Sequence, residues 1–108
     1  MASTASTMQA LGSEAPAFTL SNTHPTSGGA AVSLSDYADS KALLVAFICN
    51  HCPYVIHIRD AFNVFAQEYA SRGLTTIAIS ANDATTHPDD SPEKMAEEAA
   101  RHGFGFPY

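Results

Sequence analysis

Cys49 and Cys52 are the only cysteines in a chain of 108 residues, and they frame the segment Cys49-Asn50-His51-Cys52-Pro53. Two intervening residues let both sulfurs meet in a disulfide with little strain. A single pair is too few for a disulfide scaffold, so redox or metal chemistry is the better expectation for it. His51 lies between the sulfurs and can offer a hydrogen bond or positive charge to a Cys49 thiolate. Stabilising the reduced form in that way makes the disulfide more oxidising. Pro53 supplies no amide and marks a helix start or a kink.

The flanking elements give the pair its meaning. Lys41–Cys49 contains the unbroken apolar run Leu43-Leu44-Val45-Ala46-Phe47-Ile48, expected of a strand buried on both faces. Pro53–Arg72 repeats Val55, Ile58, Phe62, Phe65 and Tyr69 at steps of three and four, the apolar stripe of a helix, and Gly73 suits a left-handed C-terminal cap. Leu74–Ser80 alternates as a strand does. Strand, helix and strand in this order form a βαβ unit with a parallel pair and a right-handed crossover. A loop through Asn82–Asp90 leads to a second helix at Pro92–His102, capped by Ser91 and ended by Gly103. Upstream, Phe18–Leu20 and Ala31–Leu34 read as minor strands around the turn-rich Asn22–Gly29, followed by a cap or turn at Ser35-Asp36. The cysteine pair therefore sits between a buried strand and a helix N-terminus. Free amides and the helix dipole there favour a thiolate, which lowers the thiol pKa. Cys49 is expected to be the more exposed, attacking sulfur, with Cys52 one turn into the helix as the resolving sulfur.

A net charge of −6 with five Lys and Arg residues argues against nucleic acid or an anionic membrane as partner. No apolar run approaches the roughly 18 residues of a membrane helix. Residues 1–14 carry no basic or apolar signal and read as a flexible leader before a single domain over 15–108, with the cytoplasm as the default location.

The motif Phe47-Ile48-Cys49-Asn50-His51-Cys52-Pro53-Tyr54-Val55 resembles the peroxiredoxin-like redoxin branch of the thioredoxin superfamily. Ala15-Pro16-Ala17-Phe18-Thr19-Leu20 and Val32-Ser33-Leu34-Ser35-Asp36-Tyr37 extend the likeness over about Gly12–Tyr108. The resemblance implies an α/β thioredoxin-like fold and dithiol–disulfide exchange, with Cys49 as nucleophile, Cys52 as resolver and His51 tuning the site. It implies protein or small-molecule disulfides as substrates, a thiol reductant as partner, and no cofactor or metal. Three features depart from the family. Asn50-His51 stands where thioredoxins commonly have Gly-Pro. Ala42–Ile48 holds no acid to take the resolving thiol's proton, which leaves that task to His51 or water. The later strands and the cis-proline loop of the fold do not occur within the chain, and Pro107 follows the second helix too soon to replace them. The C-terminal part of the fold is thus expected to be missing, with a homodimer or strand-exchanged assembly completing the sheet.

Two other chemistries compete. A thiol peroxidase would use Cys52 as the peroxide-reducing thiol. That alignment puts Cys49 and Val45 where the P-x-x-x-T-x-x-C pattern wants threonine and proline. A metal-binding module would draw on Cys49, His51, Cys52 and His57, without a second motif to complete a tetrahedral site. Other polar residues read as structural: Arg59 and Asp60 as exposed charges, Glu93, Glu97 and Glu98 as a solvated face, His24 and His87 as loop residues, and Gly28-Gly29 as a turn. Phe62, Phe65 and Tyr69 read as core.

Overall fold

The computed structural model describes residues 5–108; the first four residues of the expected leader lie outside them. Strands β1 (Thr19–Ser21) and β2 (Ala31–Ser33) pair antiparallel, Thr19 opposite Ser33. A 3-10 turn at Leu34–Tyr37 follows, entered through Ser33, whose N–H donates to Asp36 Oδ2 at 2.9 Å. Ser33, and not Ser35 or Asp36, is therefore the residue at the cap.

Strand β3 (Ala42–Phe47) and strand β4 (Leu74–Ile79) form a separate parallel pair, in register from Ala42 opposite Leu74 to Phe47 opposite Ile79. Helix α1 (Pro53–Ala70) connects them, so the expected βαβ unit is present. Cys52 is the N-cap of α1 and Pro53 its first residue, where a missing amide costs nothing. The helix ends at Ser71 with ordinary right-handed geometry. Gly73 then takes φ +96°, and a Cβ there would approach the Lys41 side chain to 2.8 Å, so the turn into β4 needs glycine. Helix α2 (Pro92–His102) has the expected bounds: Ser91 Oγ accepts from the Lys94 amide, and Gly103 adopts the left-handed conformation.

Ala66, Ala78, Ala99, Phe104, Phe106 and Tyr108 make the core, with Ile48, Phe62 and Met95 packed against it. The segment after α2 is central to this packing. Phe106 stacks on Phe104 and meets Phe62 edge-on. Its backbone is tied down as well, since Ala78 N–H donates to Pro107 O at 3.0 Å and Thr23 N–H to Tyr108 O at 2.8 Å. Pro107 is thus the backbone partner of β4.

Three expectations need correction. β3 is not buried on both faces: its inner residues are only half-buried and Phe47 is 70% exposed. The buried face of α1 holds Asn63 and Ala66, with Val55, Arg59 and Phe62 half-buried beside it, whereas Ile58 and Phe65 are exposed. A helix packed on a two-stranded sheet covers a narrower stripe than its sequence offers. The charges assigned to solvent are also partly enclosed. Arg59 Nη1 donates to Glu98 Oε2 across α1 and α2, with both side chains less than one-fifth exposed.

Candidate active site

Parallel strands place their C-terminal ends at the same edge of the sheet, so the loops after β3 and β4 meet there. The loop after β3 carries Cys49, Asn50, His51 and Cys52, and the segment after β4 carries Asn82, His87, Asp89 and Asp90. Cys49 and Cys52 are both half-buried free thiols. The carboxylate of Asp90 lies beneath this loop, only 2% exposed. Its Oδ1 accepts the amide of Asn50 at 2.7 Å and that of His51 at 3.3 Å. Its Oδ2 accepts Asn82 Nδ2 at 2.8 Å and contacts His51 Nδ1. Asn50 strengthens the junction by donating Nδ2 to Asp89 O at 2.7 Å and accepting Tyr108 Oη–H at 2.7 Å. His87, expected to be a solvated loop residue, stacks on His51 with ring centroids 4.9 Å apart.

Burial acts to raise the Asp90 carboxyl pKa, but the hydrogen bonds from Asn82, Asn50 and His51, together with the His51 charge, outweigh it. The net direction is downward, so Asp90 is ionised at neutral pH. An ionised carboxylate can only accept, which assigns the shared proton to His51 Nδ1. Cys49 shows the opposite balance. Burial pushes its thiol up, the charges of Asp90 and Cys52 add to the rise, and the amides of Cys52 and His51 offset only part of it. The net lowering expected from the helix N-terminus is therefore corrected: Cys52, not Cys49, occupies the cap, and Cys49 faces a carboxylate.

Cys49 Sγ, a ring nitrogen of His51 and an oxygen of Asp90 lie within 4.8 Å of one another. Among the described residues this is the group of ligand-type side chains gathered closely enough for a metal, so the set Cys49, His51, Cys52 and His57 is not assembled. Three donors fall one short of a tetrahedral structural site, and His51 and Asp90 are already engaged with each other. Cys49 and His51 lie close together, and Cys52 is at the N-cap of α1 outside that cluster. Asp90 is the residue that sequence reasoning missed. The signal available for it was topological: an acidic pair, Asp89-Asp90, in the one loop that a βαβ unit must deliver beside the cysteines.

Comparisons with solved structures agree with this architecture. A hypothetical protein from Sinorhizobium meliloti matches with a TM-score of 0.86 and 42% identity over 94% of this chain and 54% of its own. An uncharacterized conserved protein from Geobacillus kaustophilus gives 0.85 and 41%, covering 94% of this chain and 52% of its own. The chain thus spans about half the length of these solved relatives. A candidate thioredoxin from Neisseria meningitidis, 21% identical, matches with a TM-score of 0.62 over 86% of this chain and 55% of its own, a likeness of fold. No curated protein matches the chain. The fold is thioredoxin-like, and the family model that fits residues 11–108 makes the chain a member of the AhpC/TSA family.

Proposed function

We propose that the chain is a thiol–disulfide oxidoreductase that works through Cys49 and Cys52. Family membership supports redox chemistry in general. The observation that carries the finer reading is the position of both free, half-buried thiols at one strand-to-helix junction, beside a histidine. In the reductive direction Cys49 loses its proton to His51, and the thiolate attacks one sulfur of a substrate disulfide. A Cys49–substrate S–S bond forms, the substrate S–S bond breaks, and the leaving thiolate takes a proton. Cys52 then attacks Cys49 Sγ as a thiolate, closing the Cys49–Cys52 bridge and releasing the second substrate thiol. The protein dithiol is oxidised by two electrons and the disulfide is reduced to two thiols. Oxidation of a dithiol substrate is the same sequence reversed. Because Cys49 sits above its ordinary pKa, only a minor fraction is thiolate at neutral pH, and the proton acceptor matters. The substrate class is a protein or small-molecule disulfide, with a thiol as the regenerating partner.

The test is a trapping experiment. Cys52→Ser incubated with glutathione disulfide should accumulate a stable adduct on Cys49, seen by mass, while the native pair passes on to the internal bridge. Failure of Cys52→Ser to form an adduct contradicts the assignment of Cys49 as nucleophile.

Membership of the AhpC/TSA family also favours a second reading, reduction of a hydroperoxide by Cys52. The Cys52 thiolate would take the terminal peroxide oxygen, giving a sulfenic acid and an alcohol or water. Cys49 would then displace water to form the same bridge. Consumption of hydrogen peroxide that requires Cys52 distinguishes this from disulfide exchange.

A further inference from the structure

The cysteine pair accounts for the electrons of the proposed exchange but leaves a buried carboxylate unexplained. Asp90 is 40 residues from Asn50 in sequence and 2% exposed, yet it accepts the amides of Asn50 and His51, the side-chain amide of Asn82, and the ring of His51. Four donors fill the acceptor sites of the buried carboxylate. Three of them come from the two residues between the cysteines, Asn50 and His51. We propose that Asp90 is a positioning residue of the exchange site, which holds His51 as the Nδ1–H tautomer and so presents Nε2 as the acceptor of the cysteine proton.

The inference rests on the dithiol reading of the site. A ring nitrogen of His51 lies within 4.8 Å of Cys49 Sγ, which leaves the proton within reach of the ring through one water. The Cys49 S–H bond breaks, the proton joins Nε2, and the imidazolium is held by the anionic carboxylate at Nδ1. The same proton returns to the leaving thiolate, so neither Asp90 nor His51 changes over the cycle. A neutral histidine in the other tautomer would present an N–H to the thiol and could accept nothing from it. His87 stacks on the His51 ring and limits its tilting. Other charges border the ring through the adjoining hollow, where Asp89, Lys94, Glu97, Glu98 and Arg101 come from the 3-10 turn at Pro88–Asp90 and from α2. Among the described residues only Asp90 bonds to Nδ1.

The experiment has two parts. The 15N shifts of the His51 ring in the native chain at neutral pH report the tautomer directly and need no variant. The Nδ1–H form is expected, and a predominant Nε2–H form overturns the assignment. Exchange with glutathione disulfide is then timed in His51→Ala, Asp90→Asn and the double variant. Asn keeps an oxygen for the two backbone amides and removes the acceptor for Nδ1–H. Each single change should slow exchange by about 10-fold or more, and the double variant should be slower than His51→Ala by less than about twofold. Losses that multiply in the double variant overturn a role through His51. If the native chain fails to exchange at all while the tautomer is Nδ1–H, the dithiol reading fails on its own.

Discussion

Tyr108, a residue only 4% exposed, donates its hydroxyl to Asn50 Oδ1 at 2.7 Å and so fastens the segment after α2 to the loop between the cysteines. Tyr108→Phe keeps the ring in the core and removes that one bond. It should lower stability by about 1 kcal/mol in urea unfolding. Burial raises the Tyr108 pKa far above its ordinary value, with the charges of Asp90, Cys49 and Glu98 adding to the effect. The folded hydroxyl therefore keeps its proton where the unfolded one loses it. Its stabilising contribution is complete below about pH 10 and declines above it, because the unfolded chain then binds fewer protons. Alkaline unfolding curves of Tyr108→Phe should be flatter than those of the native chain above that pH. Parallel curves contradict the assignment.

Asp90 gives the opposite sign. Its folded pKa lies below the unfolded one, so its contribution is present above about pH 4 and is lost as pH falls through the folded value. Asp90→Ala leaves the amides of Asn50 and His51 without their acceptor and should cost about 1–3 kcal/mol at neutral pH. The difference from the native chain should shrink as acid is added. Asp83, held down chiefly by hydrogen bonds from Thr85, titrates in the same window and cancels in that difference. Circular dichroism against urea at several pH values measures it.

Local signals in the sequence carried the βαβ unit and both ends of α2, because Ser91, Pro92 and Gly103 each act on backbone groups within one turn. The placement of the cysteines followed from the same local reasoning. Asp90 and Arg59 did not follow, because their partners lie 39 and 40 residues away and depend on how loops and helices meet. The stripe on α1 was read from apolar residues alone. Asn63 belongs to its buried face because its side chain serves Gly103 O at 3.0 Å and the Gly105 amide at 2.9 Å, a reason no hydropathy pattern contains.

The Arg59–Glu98 pair makes a separate prediction about stability. Removing Arg59 leaves the largely enclosed Glu98 carboxylate with His102 alone, 3.5 Å from its other oxygen, so Arg59→Ala should cost about 1–3 kcal/mol, below the roughly 3–5 kcal/mol of a fully buried pair because both groups keep some solvent. Replacing both by methionine should cost less than either single change. A double-mutant cycle in urea reads the coupling, and a value of zero contradicts it.

The outer edge of β3 has no strand beside it among the described residues, and Phe47, Val64 and Ile58 are each at least half exposed. Unpaired strand edges and exposed apolar side chains favour pairing between copies. Self-association at micromolar concentration is expected in light scattering, reduced by Phe47→Ser. A native monomer at that concentration contradicts this expectation.

Cys49 and Cys52 are proposed to form a reversible redox pair. The direct measurement is equilibration of the native chain in glutathione buffers of graded potential, with free thiols trapped and the two cysteines counted by mass. A single two-electron transition between roughly −270 and −120 mV is predicted, the range spanned by dithiol oxidoreductases. Thiols that never pair in any buffer would contradict it.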